Sequence, residues 1–506
     1  MKVVWLAVNA SHAHASLALP LLQTACAQVP SIDWQAVQTT GHDDPAVVAA
    51  AVCAHRPDLV AATLYLFNRR PVLDALARVR ALLPTCAVIV GGPECLGENA
   101  GLLARHPWVD IAVRGEGEAV MPELLRRLAH GETVAGLPGV CSRDAGGLIH
   151  DAGTRAVFAD WASAPPPCGS PFFAADRPFV QIETSSGCRG RCTYCTSCGA
   201  RPLRRRPIAA VKAELSALRE RGVREVRVLD RTFNEPPARA AELLELFLHA
   251  FAGMRFHLEV DPAGLPERLR ALLREAPPGA LHIEAGLQTT APTALAAVGR
   301  ASRPANALDG VRFLVRETAI PTHVDLLAGL PGQTLADVEK DIEELLELGP
   351  DEIQLEVLKI LPGTPLRATA AQLELCYAPV PPYEVLGTAA CTAADLRRVA
   401  GWSRVLDGFY NPPTLRPAFR AQVAAPGRFA EFAERCAAHG LTRAPAGLER
   451  RFAYLARTAA AGPPSGLDLV RLGWMAAGLS PAAPLPGATP WKAAVPPDVT
   501  WNGDAG

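Results

Sequence analysis

Two successive series of short apolar runs, each run followed by a helical stretch, constrain this chain more than any other feature. In the first series the candidate strands are Val3–Val8, Ile32–Gln38, Leu59–Leu64, Val88–Val90 and Ile111–Val113. Helical patterns lie between them, such as Pro71–Leu83, with Leu73, Leu76, Val79 and Leu82 on one stripe. Strands that are apolar on both sides of the two-residue period belong to a parallel sheet covered on both faces. The pattern predicts a doubly wound α/β domain over residues 1–160. Ligands of such sheets sit beyond the carboxyl ends of the strands. Those ends read Asn9-Ala10-Ser11-His12, Tyr65-Leu66-Phe67-Asn68, Gly91-Gly92-Pro93-Glu94 and Arg114-Gly115-Glu116-Gly117-Glu118.

A break at Ala164-Pro165-Pro166-Pro167 separates the two series. The second runs over Val180–Glu183, Val226–Asp230, Phe256–Val260, Leu281–Ala285, His323–Leu327 and Ile353–Leu358. Helical patterns at Ile208–Glu220, Arg239–Ala252, Leu265–Arg274 and Leu335–Leu348 intervene. A complete eight-strand barrel takes roughly 250 residues, so six strands in about 180 residues predict a partial (βα)6 barrel. This places a barrel domain at 170–365 and a mainly helical C-terminal domain at 366–506, ending in a tail rich in Pro, Ala and Gly that is expected to be partly disordered.

Composition narrows the function classes. Lys+Arg is 50 and Asp+Glu is 51 in 506 residues, a net charge of −1 that carries no footprint for nucleic acid or an anionic membrane. Aromatics at 6% argue against a base-stacking surface. No apolar stretch reaches the ~18 residues of a membrane span. The first twenty residues read as a buried strand rather than a signal peptide. The 13 cysteines are odd in number and mostly scattered, unlike a secreted disulfide framework. A reduced, cytoplasmic protein is expected.

Four cysteines crowd together: Cys188, Cys192, Cys195 and Cys198, in Gly187-Cys188-Arg-Gly190-Arg-Cys192-Thr-Tyr194-Cys195. The loop follows directly on the first barrel strand. Gly187 and Gly190 let the backbone bend so that three thiolates converge. Soft thiolates take iron–sulfur clusters or zinc. Three thiolates on a four-iron cubane leave one iron open to a small molecule. A four-thiolate zinc site using Cys198 is the alternative, although structural zinc usually pairs two separated knuckles.

With C-x3-C-x2-C, an aromatic Tyr194 before the third cysteine and a partial barrel behind it, the chain resembles the radical S-adenosylmethionine (SAM) superfamily. The resemblance implies a 4Fe–4S cluster on Cys188, Cys192 and Cys195, its open iron chelating SAM, which one electron cleaves to a 5′-deoxyadenosyl radical. It places Asp230, Glu284 and Gln288 against the methionyl and ribose parts of SAM. Asp325, and Glu259 with Asp261, are further polar residues in apolar strands, where an unpaired polar group is costly.

The N-terminal domain, with its GGPE and RGEGE turns, is similar to the cobalamin-binding domain of one branch of that superfamily. The resemblance implies that Gly91, Gly92, Pro93 and Glu94 let the backbone approach the corrin ring. It implies that Arg114, Gly115 and Glu116 contact the nucleotide tail, and that Asn9, Ser11, Thr63 and Tyr65 meet the corrin face or rim. No D-x-H-x-x-G motif supplies a cobalt ligand; His12 and His14 are the nearest histidines. VRVLDRTFN, FHLEVDP, HIEAGLQT and PPYEVL extend the resemblance to a subgroup with a C-terminal domain of unassigned function.

The expected activity is cobalamin-dependent radical methylation of an unactivated carbon or phosphorus in a small molecule. The expected electron donor is a flavodoxin or ferredoxin; the basic run Arg201–Arg206 reads first as a solvated helix approach and otherwise as a place that could receive an acidic reductase or an anionic substrate. A radical rearrangement, cyclisation or oxidation, and a non-enzymatic metal-binding sensor, are the alternatives.

Overall fold

The computed structural model describes residues 1–198, 203–443, 446–459 and 464–479. The C-terminal tail and part of the Arg201–Arg206 run lie outside the described residues. Packing divides the chain into two units: Met1–Asp341 with Leu355–Val399, and Ile342–Gln354 with the chain from Ala400 onward.

The first unit opens with β1 (Lys2–Asn9), β2 (Asp33–Thr40), β3 (Leu59–Thr63), β4 (Ala87–Gly91), β5 (Ile111–Val113), β6 (Val140–Arg143) and β7 (Ile149–Asp151). They form one sheet in the order β2-β1-β3-β4-β5-β6-β7. Strands β1 to β5 pair in parallel, whereas β6 and β7 add an antiparallel edge. Alternate residues of β1 enter different cores: Val4, Leu6 and Val8 pack with Leu73 and Leu76, while Val3 and Trp5 pack with Leu19, Leu22 and Met121. Burial on both faces is why β1 and β3 to β5 read as unbroken apolar runs, while the edge strand β2 does not. The chain crosses from β2 on one side of β1 to β3 on the other, so a crevice opens at the carboxyl ends of β1 and β3.

The barrel strands are β8 (Val180–Ile182), β11 (Glu225–Val228), β12 (Arg255–Val260), β13 (Leu281–Gln288), β14 (Thr322–Ala328) and β15 (Glu352–Val357), in the order β15-β14-β13-β12-β11-β8. The intervening β9 (Ser185–Ser186) and β10 (Arg204–Arg205) form a short antiparallel ladder at the base of the cysteine loop. This is the partial (βα)6 barrel that the spacing predicts. In β13 the residues Leu281, Ile283, Ala285 and Leu287 are buried, and His282, Glu284, Gly286 and Gln288 occupy the other face. The two-residue period therefore gathers the polar residues of neighbouring strands on one surface. A small hairpin, β16 (Cys376–Tyr377) and β17 (Val385–Gly387), follows; Val385 packs with Leu330, Leu358 and Ile360, against which Tyr194 rests.

From Ala400 onward the described secondary structure of the second unit is helical. Its core is a lattice of edge-to-face rings from Trp402, Phe409, Phe419, Phe429, Phe432 and Tyr454.

Candidate functional site

The cysteine loop leaves the barrel through a bend at Gly187, where φ is +95°. Asp230, at the end of β11, holds the strand before it. Its carboxylate accepts from the Thr184 and Ser185 amides at 2.7 and 2.9 Å and from their hydroxyls at 2.5 and 2.7 Å. Midway, the Thr193 amide donates to Val298 and its carbonyl accepts from Leu366, both at 2.9 Å. The loop is thus fixed at both flanks before any ligand is considered.

Each of the three sulfurs accepts or faces a donor. The Gly190 amide reaches Cys188 Sγ at 3.2 Å, the Ser197 amide reaches Cys195 Sγ at 3.4 Å, and Arg300 Nη1 reaches Cys192 Sγ at 3.8 Å. A Cβ at residue 190 would stand 3.2 Å from Cys188 Sγ and 3.9 Å from Cys192 Sγ, so glycine keeps the space between these sulfurs open. Among the described residues no three His, Cys, Asp or Glu side chains close on a single point as one metal ion requires. The sulfurs instead spread along the wall of a cavity of about 710 Å³.

The opposite wall of that cavity comes from the barrel. It carries Glu259, Glu284, Gln288 and Asp325. Glu259 lies directly beside Glu284 in the ladder, and Asp325 beside Gly286. His257 Nε2 sits 3.1 Å from Glu284 and holds that carboxyl below its ordinary range. Burial, reinforced by Glu284, pushes Glu259 up to about 7, and burial likewise raises Asp325. The ladder shifts register between Gly286 and Gln288, and Gln288 takes φ +70° there, a strained conformation that turns its amide into the cavity.

A second cavity, of about 340 Å³, lies at the carboxyl ends of the N-terminal strands. Its floor is apolar, with Ala61, Ala62, Ile89, Val90, Leu21 and Leu22. Its rim carries Thr63, Tyr65, Gly91, Gly92, Pro93, Gly115 and Glu116, and the barrel contributes Glu183, Ser186, Leu229 and Arg231. Glu116 takes a bidentate ion pair from Arg204, which also donates to Ser186 Oγ at 3.0 Å, so the RGEGE turn is bound to the base of the cysteine loop.

Residues 182–345 match the Radical SAM superfamily. They form a radical SAM domain. The radical SAM match begins at the end of β8 and takes in the cysteine loop and β11 to β14. Among similar proteins, the "Uncharacterized methyltransferase PH0819" of Pyrococcus horikoshii is 25% identical over 288 residues, 55% of this chain and 62% of that protein. The "Cobalamin-dependent radical SAM methyltransferase TokK" of Streptomyces tokunonensis is 26% identical over 347 residues, 61% of this chain and 48% of its own length. The chain thus spans about half to three-fifths of these relatives. The solved structure of the cobalamin-dependent S-adenosylmethionine radical enzyme OxsB with aqua-cobalamin aligns over 95% of this chain and 81% of that one, with TM-score 0.69 at 12% identity, which speaks to the fold alone.

Around this radical SAM domain the expected site residues divide. Cys188, Cys192, Cys195, Tyr194, Glu284, Gln288 and Asp325 meet in one cavity, and Thr63, Tyr65, Gly91, Gly92, Pro93, Gly115 and Glu116 in the other. Five others are committed elsewhere. Asp230 is buried beneath the loop it anchors. Arg114 forks onto Asp151 at 3.0 and 2.7 Å and binds the Gly97 carbonyl inside the N-terminal domain. Glu94 is buried against Arg69 and Tyr383. Asn9 is buried at the end of β1, and the Ser11 hydroxyl pairs with the His14 ring at 2.8 Å. Gly92 serves its own domain too, because a Cβ there would strike Thr63 Cγ2 at 2.4 Å. The sequence alone does not single out Glu183, Arg231 and Arg300, although Glu183 and Arg231 stand at strand ends, where ligands are expected; Glu118, in the RGEGE turn, lines the second cavity.

Among the described residues no helix is long and apolar enough to cross a membrane.

Proposed function

We propose that this chain is a cobalamin-dependent radical SAM enzyme that methylates an unactivated carbon or phosphorus of a small molecule. The observation that carries this reading is the adjacency of the two cavities, one walled by three cysteine sulfurs and the other at the carboxyl ends of a doubly wound sheet. The donor sets fit their groups. Three sulfurs with donors aimed at them suit a 4Fe–4S cluster held by Cys188, Cys192 and Cys195, while Glu284, Gln288 and Asp325 provide acceptors for the ammonium and ribose hydroxyls of SAM. An apolar floor with a polar rim suits a flat macrocycle edged by amides. When bound, these groups supply an electron, an adenosyl radical and a methyl donor. The chain's share would be to hold them in adjoining cavities and to exclude water between them.

In this reading residues 1–160 serve cobalamin, residues 170–365 the cluster and SAM, and residues from 366 onward form a mainly helical region that includes the β16–β17 hairpin. The protein works in the reducing cytoplasm with a flavodoxin or ferredoxin as electron donor, on a small molecule rather than a nucleic acid.

Anaerobic purification with iron, sulfide and corrinoid quantification tests the cofactors. About four irons and one corrinoid per chain are expected; zinc without sulfide overturns the reading. Methyl-labelled SAM tests the reaction, because label enters product only if methyl is transferred. Cleavage of SAM without label in product would favour radical rearrangement, cyclisation or oxidation.

A further inference from the structure

Arg231, in the turn after β11, lines both cavities and among the described residues is the one they share. Its guanidinium makes no ion pair among the described residues. Of the other arginines of the cluster cavity, Arg189 pairs with Glu235 at 3.1 Å and Arg300 spans the Gly286 carbonyl and Cys192 Sγ, whereas Arg191 and Arg303 line the cluster cavity without reaching the second one. The acids near Arg231 do not neutralise it. Glu183, on the side of the N-terminal domain, and Glu259, on the side of the cluster, are pushed up by burial to about 8 and about 7, so near neutral pH they largely or partly hold their protons. Filling both cavities with cofactors would expel the water that now solvates this cation. A buried cation without a partner is strongly disfavoured. The planar fork of a guanidinium matches an oxyanion in two-point contact.

We infer that Arg231 is a binding residue for a substrate oxyanion, a carboxylate or phosphate, and that the methylated position lies close to that group. The inference rests on the reading of the two cavities as cofactor sites. It assigns the substrate to the anionic small molecules and places it on the partition between the cavities.

The test uses the whole chain, reconstituted with cluster and corrinoid, and compares wild type with Arg231→Gln and Arg231→Lys. Inorganic phosphate and acetate are the probes, with chloride at equal ionic strength as control. Melting temperature and the visible spectrum of the bound corrinoid are the readouts, and SAM affinity is measured separately. In wild type, phosphate or acetate raises the melting temperature beyond the chloride control, and whichever acts more strongly identifies the class. In Arg231→Gln the apparent affinity falls roughly tenfold or more, Arg231→Lys keeps part of it, and SAM affinity changes by less than about threefold. No oxyanion response in wild type overturns the inference. So does an Arg231→Gln variant that loses SAM affinity but keeps the phosphate response, because Arg231 would then serve the SAM carboxylate. Failure to take up corrinoid sinks the functional reading instead, and the melting readout still decides for Arg231.

Discussion

The Tyr383 hydroxyl donates to Glu94 Oε2 at 2.8 Å, and the same carboxylate oxygen takes Arg69 Nη1 at 3.1 Å. Both Glu94 and Tyr383 are buried. The GGPE turn is therefore joined to the segment that follows the barrel, 289 residues away. Close packing of Gly97 against Gly363, where a Cβ would meet the Gly363 amide at 3.0 Å, lies beside this joint. Burial, then the neighbouring Glu94, pushes the Tyr383 hydroxyl up to about 12, so it remains a donor throughout the physiological range. The joint sets the floor of one cavity against the barrel that holds the other.

Tyr383→Phe keeps the ring but removes one of the donors to a buried carboxylate. A loss of about 1–3 kcal/mol is expected. Glu94→Ala leaves Arg69 without its acid and should cost more, about 3 kcal/mol or above. Thermal unfolding of the purified chain checks the order. Equal melting temperatures for Glu94→Ala and wild type would show that the joint does not hold.

The Asp230 carboxylate satisfies two amides and two hydroxyls just before the cysteine loop. Burial raises this carboxyl while the four donors pull it back, so the group stays only because its partners are there. Asp230→Ala strands all four donors, at about 1–3 kcal/mol for each that finds no water. The loop should lose its fixed entry, and iron retained after anaerobic reconstitution should fall well below wild type. Unchanged iron content and melting temperature would assign Asp230 no part in holding the loop.

Much of this architecture was legible beforehand, for a physical reason. Parallel strands covered on both faces must be apolar, so β1 and β3 to β5 announce themselves, the barrel strands show as short runs that alternate apolar with polar residues, and the C-x3-C-x2-C loop carries its chemistry in its spacing. The hairpin of β6 and β7 did not, because Val140–Arg143 is a four-residue strand and Ile149–Asp151 a three-residue edge strand, each with little apolar signal. Charged residues at strand ends were the ambiguous class. Glu94, Arg114 and Asp230 read like Glu116 and Glu284, and all five find partners tens to hundreds of residues away, but only Glu116 and Glu284 still line a cavity once paired. Arg231 went unnoticed because its significance arises only when two cavities from separate βα series meet.

Gly190 offers a direct probe of the cysteine loop. A methyl group there would press on Cys188 Sγ at 3.2 Å, tighter than ordinary contact, from a position whose own amide donates to that sulfur. Gly190→Ala should therefore displace Cys188 and lower iron and sulfide content, with the melting temperature of the apoprotein little changed, because the residue is exposed. Cys198→Ala, outside the three-cysteine spacing, should retain iron at the wild-type level. If Gly190→Ala binds a full complement of iron, the loop adapts around its sulfurs and the geometric argument fails.

Glu183 makes stability depend on pH. Its carboxyl lines the N-terminal cavity, and burial, then Glu118 and Asp230, push it up to about 8, with Arg231 opposing. An unfolded glutamate ionises near pH 4.5. Between these values the folded chain holds a proton that the unfolded chain has released. Stability is therefore highest below about pH 4.5 as far as this group is concerned, and declines as pH rises towards about 8. Glu183→Gln removes the titration and keeps the shape. The melting temperature of wild type, measured without cofactors at constant ionic strength from pH 5 to 8, should fall relative to Glu183→Gln, with the gap widest at the alkaline end. Parallel curves for the two proteins would mean that Glu183 ionises in the folded chain at its ordinary value.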